Sequence, residues 1–130
     1  MKTDLKENEW REKLGDKTFH VMRKGGTEAP FTGIYTDSFE EGDYHCKACG
    51  TLLFKSTHKF HSGCGWPAFD TAEAGAISYL RDTSFGMIRV ETRCSNCDSH
   101  LGHVFEDGPT ETTGKRYCIN SICLEFKPKS

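Results

Sequence analysis

No part of this 130-residue chain comes near the ~20 consecutive apolar residues of a membrane-spanning helix, which excludes a helical membrane protein. The opening stretch, MKTDLKENEWREKLG, holds no apolar run of the kind that directs secretion. The expectation is therefore a cytoplasmic chain in a reducing compartment, where cysteines serve as metal ligands or catalytic groups more often than in structural disulfides. Basic charge is not clustered either. Seventeen Lys and Arg stand against 19 Asp and Glu, and the longest basic group is Arg23-Lys24. A nucleic-acid partner would call for a basic stripe, so none is expected. No long exposed apolar stripe is present, which favours a monomer. Internal repeats and low-complexity segments are missing, apart from two CxxC units. Apolar residues are also lean, at 35% against 28% charged. A single small domain with so little to bury needs a staple.

Seven cysteines can supply one. CKACG (Cys46, Cys49) and CSNCDS (Cys94, Cys97) form a CxxC…CxxC set. Two intervening residues let both sulfurs of a knuckle converge on one ion, and Gly50 suits the left-handed position that follows the second sulfur. Four thiolates make a closed, tetrahedral, structural zinc site with no open position for catalysis. Iron is compatible with the same ligand type. Two redox CxxC pairs are the competing reading, but a thioredoxin-like motif needs a βαβ setting that the sequence does not provide.

Residues 1–130 read as one domain, mainly β, with two small antiparallel sheets around a zinc-stapled core. A helical segment runs over about residues 4–25 and a β catalytic region over about 30–126. In the helical segment Asp4 can cap a first helix with Trp10 and Leu14 on one face, and Gly15 can stop it. A second helix fits Asp16 to Lys24, its Phe19 and Met22 docking on the core. From Tyr44 onward short strands are expected in YHC, TLLF, AISYLRD, GMIRVETRC, LGHVFED and KRYCINSICLEF, separated by turn residues.

With the knuckles assigned, Cys64, Cys118 and Cys123 are left. Cys118 has four possible roles: core residue, disulfide partner, metal ligand or reactive thiol. Along one strand, alternation sets Arg116, Cys118, Asn120, Ile122, Leu124 and Phe126 on one face. A guanidinium beside a sulfur favours the nucleophilic thiolate, and a cation and an amide are unusual neighbours for a core cysteine. Cys123 has apolar neighbours and reads as a packed thiol. Cys64, in HSGCGWPAF, sits between glycines on a flexible turn that either packs Trp66 as an ordinary surface loop or brings Cys64 to meet Cys118. His100 and His103 follow the second knuckle. They are either ordinary polar histidines or acid–base groups on a strand that the metal holds rigid.

GTEAPFTG, YHCKACGTLLF, SGCGWPAF, RCSNCDSHLGHVFEDGP and GKRYCINS, in that order, resemble the methionine-R-sulfoxide reductases, the MsrB family, over most of residues 19–126. The resemblance implies two small antiparallel sheets with N-terminal helices, and one zinc ion on Cys46, Cys49, Cys94 and Cys97. It implies Cys118 as nucleophile and Cys64 as resolving cysteine. Trp66, with Phe105, would face the substrate methyl. His100, His103 and Asn120 would form the polar side of the pocket, and Arg116 would support the thiolate. The implied activity is reduction of the R epimer of methionine sulfoxide in oxidised proteins or peptides, through a sulfenic acid and a Cys64–Cys118 disulfide that thioredoxin reduces. Ala29, Ala68 and Glu106 depart from the family's common residues, none of them at a catalytic position. Two other functions compete: a zinc-ribbon module that binds a protein partner, and a thiol–disulfide oxidoreductase that uses Cys64 and Cys118.

Overall fold

The computed structural model describes residues 7–24, 26, 27, 33, 35, 40–60, 65–83, 86 and 88–128. Two helices come first, α1 (Glu7–Leu14) and α2 (Asp16–Lys24). Gly15 separates them at a φ of +85°, and its N–H donates to the Arg11 carbonyl as a C-terminal cap. Asp4, the expected cap of α1, lies outside the described residues. Trp10, Phe19, Val21 and Met22 are buried, so the spacing read from the sequence does define a docking face. Arg23 fastens α2 to the β region. Its guanidinium lies over the Trp10 ring at 4.7 Å, and Nη1 donates to the Cys97 carbonyl at 2.8 Å.

Among the described residues, nine strands follow: β1 (Gly42–Cys46), β2 (Leu52–Lys55), β3 (Lys59–Phe60), β4 (Ala68–Phe69), β5 (Ile77–Asp82), β6 (Arg89–Cys94), β7 (His100–Phe105), β8 (Arg116–Ile119) and β9 (Leu124–Pro128). They form a three-stranded sheet, β2-β1-β9, and a six-stranded sheet, β3-β4-β8-β7-β6-β5. Each pair of neighbouring strands in the two sheets is antiparallel. The core lies between the sheets. Phe54 stacks on Phe69 with ring centroids 4.4 Å apart, and Tyr44 meets Phe69 edge-on at 5.2 Å. Tyr117, Ile119 and Leu101 close the same cluster from the larger sheet.

The expected mainly β fold of two antiparallel sheets behind two short helices is the fold observed. One strand differs from the sequence reading. KRYCINSICLEF does not form a single strand: β8 ends at Ile119, a 3₁₀ turn over Ser121–Cys123 follows, and β9 belongs to the other sheet. Alternation therefore holds only as far as the break. Ile122, Leu124 and Phe126 do not extend the Cys118 face, and Leu124 packs in the core. The break reflects competition between tertiary demands, because the chain must cross from one sheet to the other here. β3 and β4, two residues each, are too short to show a period in the sequence.

Candidate active site and metal centre

The four knuckle cysteines come together as expected. Their sulfurs all lie within 4.8 Å of one another, with Cys46–Cys97 at 3.7 Å and Cys49–Cys94 at 3.5 Å. A tetrahedral ion with metal–sulfur bonds of about 2.3 Å requires sulfurs about 3.8 Å apart, so the donor set fits zinc. The two knuckles share one local design. Gly50 N–H donates to the Cys46 carbonyl and Asp98 N–H to that of Cys94, both at 2.8 Å. Gly50 has φ +84° and Asp98 φ +63°, so each knuckle ends on a left-handed residue. A hydroxyl stands two residues beyond each second sulfur: Thr51 Oγ1 is 3.1 Å from Cys49 and Ser99 Oγ 3.2 Å from Cys97. The C-x-x-C-[GD]-[TS] pattern carried that signal, which the ligand count alone misses. Hydrogen bonding with Cys49, Cys94 and Cys97 raises the Cys46 pKa, while hydrogen bonding with Cys46 first, then Cys94, lowers that of Cys97. A bound cation would hold all four as thiolates.

The site with chemical potential is on the larger sheet, where His103 and Cys118 are direct partners across β7 and β8. Arg116 Nη1 donates to Cys118 Sγ at 2.6 Å, so positive charge meets the sulfur as the sequence suggested. The guanidinium is itself held. Nε and Nη2 form a two-pronged pair with the Asp107 carboxylate at 2.8 and 3.0 Å, and the Phe105 ring lies beneath it at 4.5 Å. The Arg116 hydrogen bond, ahead of its charge, keeps the exposed Asp107 carboxyl below its ordinary pKa.

Two histidines three residues apart on a regular strand would face opposite ways. Here a bulge intervenes. His103 pairs with Glu91 and Gly102 with Thr92, but Arg93 pairs with His100, so Leu101 is the extra residue. His100 and His103 therefore share one face, ring centroids 5.6 Å apart. Each ring is bound by a carboxylate that an arginine also holds. His103 Nε2 is 2.8 Å from Asp82 Oδ2, which accepts from Arg89 Nη2 at 3.1 Å. His100 Nδ1 is 2.7 Å from Glu91 Oε2, which accepts from Arg93 Nε at 3.0 Å. Burial acts to raise the Glu91 pKa, but the hydrogen bonds from Arg93 and His100 outweigh it and the net shift is downward. Burial, as the larger effect, lowers that of His100. A carboxylate on a neutral ring makes His100 Nδ1 the donor and leaves Nε2 as a buried acceptor with no hydrogen bond.

A cavity of about 330 Å³ opens over these groups. Trp66, His103, Phe105, Arg116, Cys118 and Asn120 line it, with Arg89, Gly102 and Thr27. Asn120 donates from Nδ2 to the Leu101 carbonyl at 2.9 Å, which pins the end of β8 beside the bulge. Six of the expected catalytic and substrate residues thus meet at one cavity. His100 stands just behind it, next to His103. Cys64 lies outside the described residues. The buried Cys123 is near the His100 carbonyl at 3.4 Å, as a packed thiol would be. The sequence reading missed Asp82, Arg89, Glu91 and Asp107. The first three lie on β5 and β6, where alternation in RVETR marks a polar face without saying what it serves.

A cysteine paired with arginine at a histidine-lined cavity, on a β scaffold with a four-cysteine metal centre, defines a thiol-chemistry class. Residues 14–128 match the SelR domain, and the chain belongs to that family. A peptide methionine sulfoxide reductase MsrB of Chromohalobacter salexigens is 55% identical over 128 residues, covering 98% of this chain and 96% of that one. A probable methionine-R-sulfoxide reductase B of Caenorhabditis elegans is 52% identical over 128 residues, covering 97% of this chain and 84% of that one. The Mis18 'Yippee-like' domain shares the fold at 16% identity and a TM-score of 0.53, covering 70% of this chain and 99% of that one. Among the described residues no helix is long and apolar enough to cross a membrane.

Proposed function

We propose that the chain is a methionine-R-sulfoxide reductase acting on oxidised proteins and peptides, with Cys118 as its nucleophile. The observation that carries the reading is the cavity in which an arginine-bound thiol faces an aromatic wall and a histidine. Methionine sulfoxide offers an apolar methyl and a polar S–O bond, and the cavity has a surface for each. Trp66, with Phe105, receives the methyl, while His103 and Asn120 face the oxygen and His100 backs His103 from behind the cavity. The names and identities of the relatives support the reaction and the R epimer.

The Cys118 thiolate attacks the sulfoxide sulfur and His103 gives a proton to the oxygen, which is a poor leaving group until protonated. The attack forms a bond between the two sulfurs; the protonated oxygen then passes to the Cys118 sulfur as the sulfoxide S–O bond and the new sulfur–sulfur bond break, so methionine leaves as the reduced thioether and Cys118 is left as a sulfenic acid. A Cys64 thiol then condenses with it to a disulfide and water. An external dithiol, thioredoxin by family resemblance, reduces that disulfide by exchange. Cys46, Cys49, Cys94 and Cys97 would hold a zinc ion that ties together the strands carrying the site, a structural and not a catalytic role. Residues 1–130 act as one domain, a monomer, with no nucleic-acid or membrane partner. The need for a dithiol reductant supports a cytoplasmic location.

The test is turnover of R and S sulfoxide epimers in separate assays, beside metal analysis. The parent should reduce the R epimer only and hold one zinc per chain. Cys118→Ser should keep the zinc and the fold but reduce neither epimer. Equal turnover by Cys118→Ser and the parent would sink the assignment.

A further inference from the structure

The protein must decide which nitrogen of His103 meets the substrate oxygen. That nitrogen is fixed from two strands away. Asp82, at the end of β5, reaches across β6 to His103 Nε2 at 2.8 Å. The same oxygen accepts from Arg89 Nη2 at 3.1 Å, and Asp82 and Arg89 are direct strand partners. The two side chains of this His103–Asp82 pair are largely buried, which limits exchange with water. A carboxylate oxygen that already accepts from a guanidinium is a poor proton acceptor, so the proton in the pair stays on the ring. With Nε2–H given to Asp82, only Nδ1 is left to serve the cavity beside Cys118.

We infer that Asp82, clamped by Arg89, is the positioning residue of the acid: it holds His103 as an Nε2–H ring whose Nδ1 carries the proton transferred to the sulfoxide oxygen. The inference deepens the reductase reading and rests on it. In the charged ring both nitrogens bear protons, and the carboxylate balances the charge. After Nδ1 gives its proton, the ring is neutral with Nε2–H still bound to Asp82. It is then in the correct tautomer to take another proton at Nδ1. The same logic of a carboxylate fixing a catalytic tautomer operates in hydrolase triads. Other charged or titratable groups around His103 are Glu91 and Arg89 on β6, His100 on β7, and Arg116 and Cys118 on β8. Among them, Asp82 is the carboxylate bonded to the ring.

Two measurements on the full, zinc-loaded chain test this. Nitrogen-15 NMR of His103, assigned by its loss in His103→Gln, should show Nε2 protonated in the neutral ring. A neutral ring protonated at Nδ1 would overturn the inference without any assay of activity. In rapid-quench single turnovers with an R-sulfoxide peptide, Asp82→Asn should slow sulfenic acid formation about 30-fold, within the range of a positioned acid. KM should stay within about twofold, since the methyl wall is untouched. Cys118 alkylation at the parental rate would show that the variant site is folded. A folded variant with the parental rate would exclude a role for Asp82 while leaving the reductase reading intact. A parent inactive on R sulfoxide would sink that reading instead.

Discussion

Gly102 passes so close to Cys118 that a Cβ on the glycine would overlap the Cys118 carbonyl oxygen. The contact lies within the β7–β8 ladder, where Gly102 opposes Ile119 and the next pair is His103 with Cys118. The backbone cannot step aside cheaply, since both strands are central to the six-stranded sheet. Gly102→Ala is expected to cost about 1–3 kcal/mol, as overpacking does, read as a lower urea midpoint. Sulfoxide turnover should fall further than stability, because the nucleophile moves relative to its acid.

Arg116 ties together the Cys118 sulfur, the Asp107 carboxylate and the Phe105 ring. Arg116→Ala removes the cation, so iodoacetamide should alkylate Cys118 about tenfold more slowly at pH 7, as expected when a thiol loses a charged neighbour. Arg116→Lys restores charge but not the planar fork, and should recover only part of the rate. Equal alkylation in all three proteins would mean that the guanidinium does not activate the sulfur.

Much of this site was legible in the sequence because its parts are local. The CxxC knuckles fix their own geometry over five residues, and Arg116 and Cys118 share a face wherever the backbone is extended. The common face of His100 and His103 was not legible. It depends on the Leu101 bulge, which appears only when β7 is paired with β6. Asp82 and Glu91 were hidden for the same reason: each reaches its histidine across strands, and no spacing in the sequence encodes that distance. The break after Ile119 was concealed by the apolar alternation that continues through Cys123 and into β9.

The four cysteines join segments far apart in sequence, 45 residues for Cys49–Cys94 and 51 for Cys46–Cys97, so the metal should secure the fold rather than the chemistry. Structural zinc contributes on the order of 10 kcal/mol or more to folding in small domains. Chelation under reducing conditions should therefore unfold the β region, seen as lost near-ultraviolet circular dichroism and exposed Trp66 fluorescence. Cys46→Ser, at a buried ligand, should lower zinc content below one per chain. A chelated protein with its parental melting temperature would show that the metal is not a staple.

Acid should weaken the fold through His100 before it does so through Glu91. Burial lowers the His100 pKa, so as pH falls below about 6.5 the unfolded chain takes up a proton that the folded chain resists. Stability then declines with falling pH. The Glu91 pKa is also depressed, so its contribution is present above about 4.3 and is lost as pH falls through the folded value. Urea midpoints for zinc-loaded protein between pH 8 and 5.5 should show the first decline, and His100→Gln should flatten it. A parental decline in that variant would assign the effect to another group.

Trp66 separates sulfoxide chemistry from plain thiol exchange. A thiol–disulfide oxidoreductase needs Cys118 and a partner sulfur, but no surface for a methyl group. A sulfoxide reductase needs that surface, because the methyl and the lone pair are what distinguish a sulfoxide from other oxidised groups. Trp66 and Phe105 line the cavity that holds the Cys118 thiol. Trp66→Ala should lower kcat/KM for methionine-R-sulfoxide about 10- to 100-fold, the factor that roughly 1.5–3 kcal/mol of lost apolar contact represents. Reduction of a small aromatic disulfide by Cys118 should change by less than about twofold, since leaving-group and thiolate chemistry set that rate. Peptide mass spectrometry after one turnover without reductant should also show Cys64 joined to Cys118. If Trp66→Ala lowered both activities equally, the aromatic wall would serve the thiol's environment rather than the substrate methyl, and the exchange reading would gain ground.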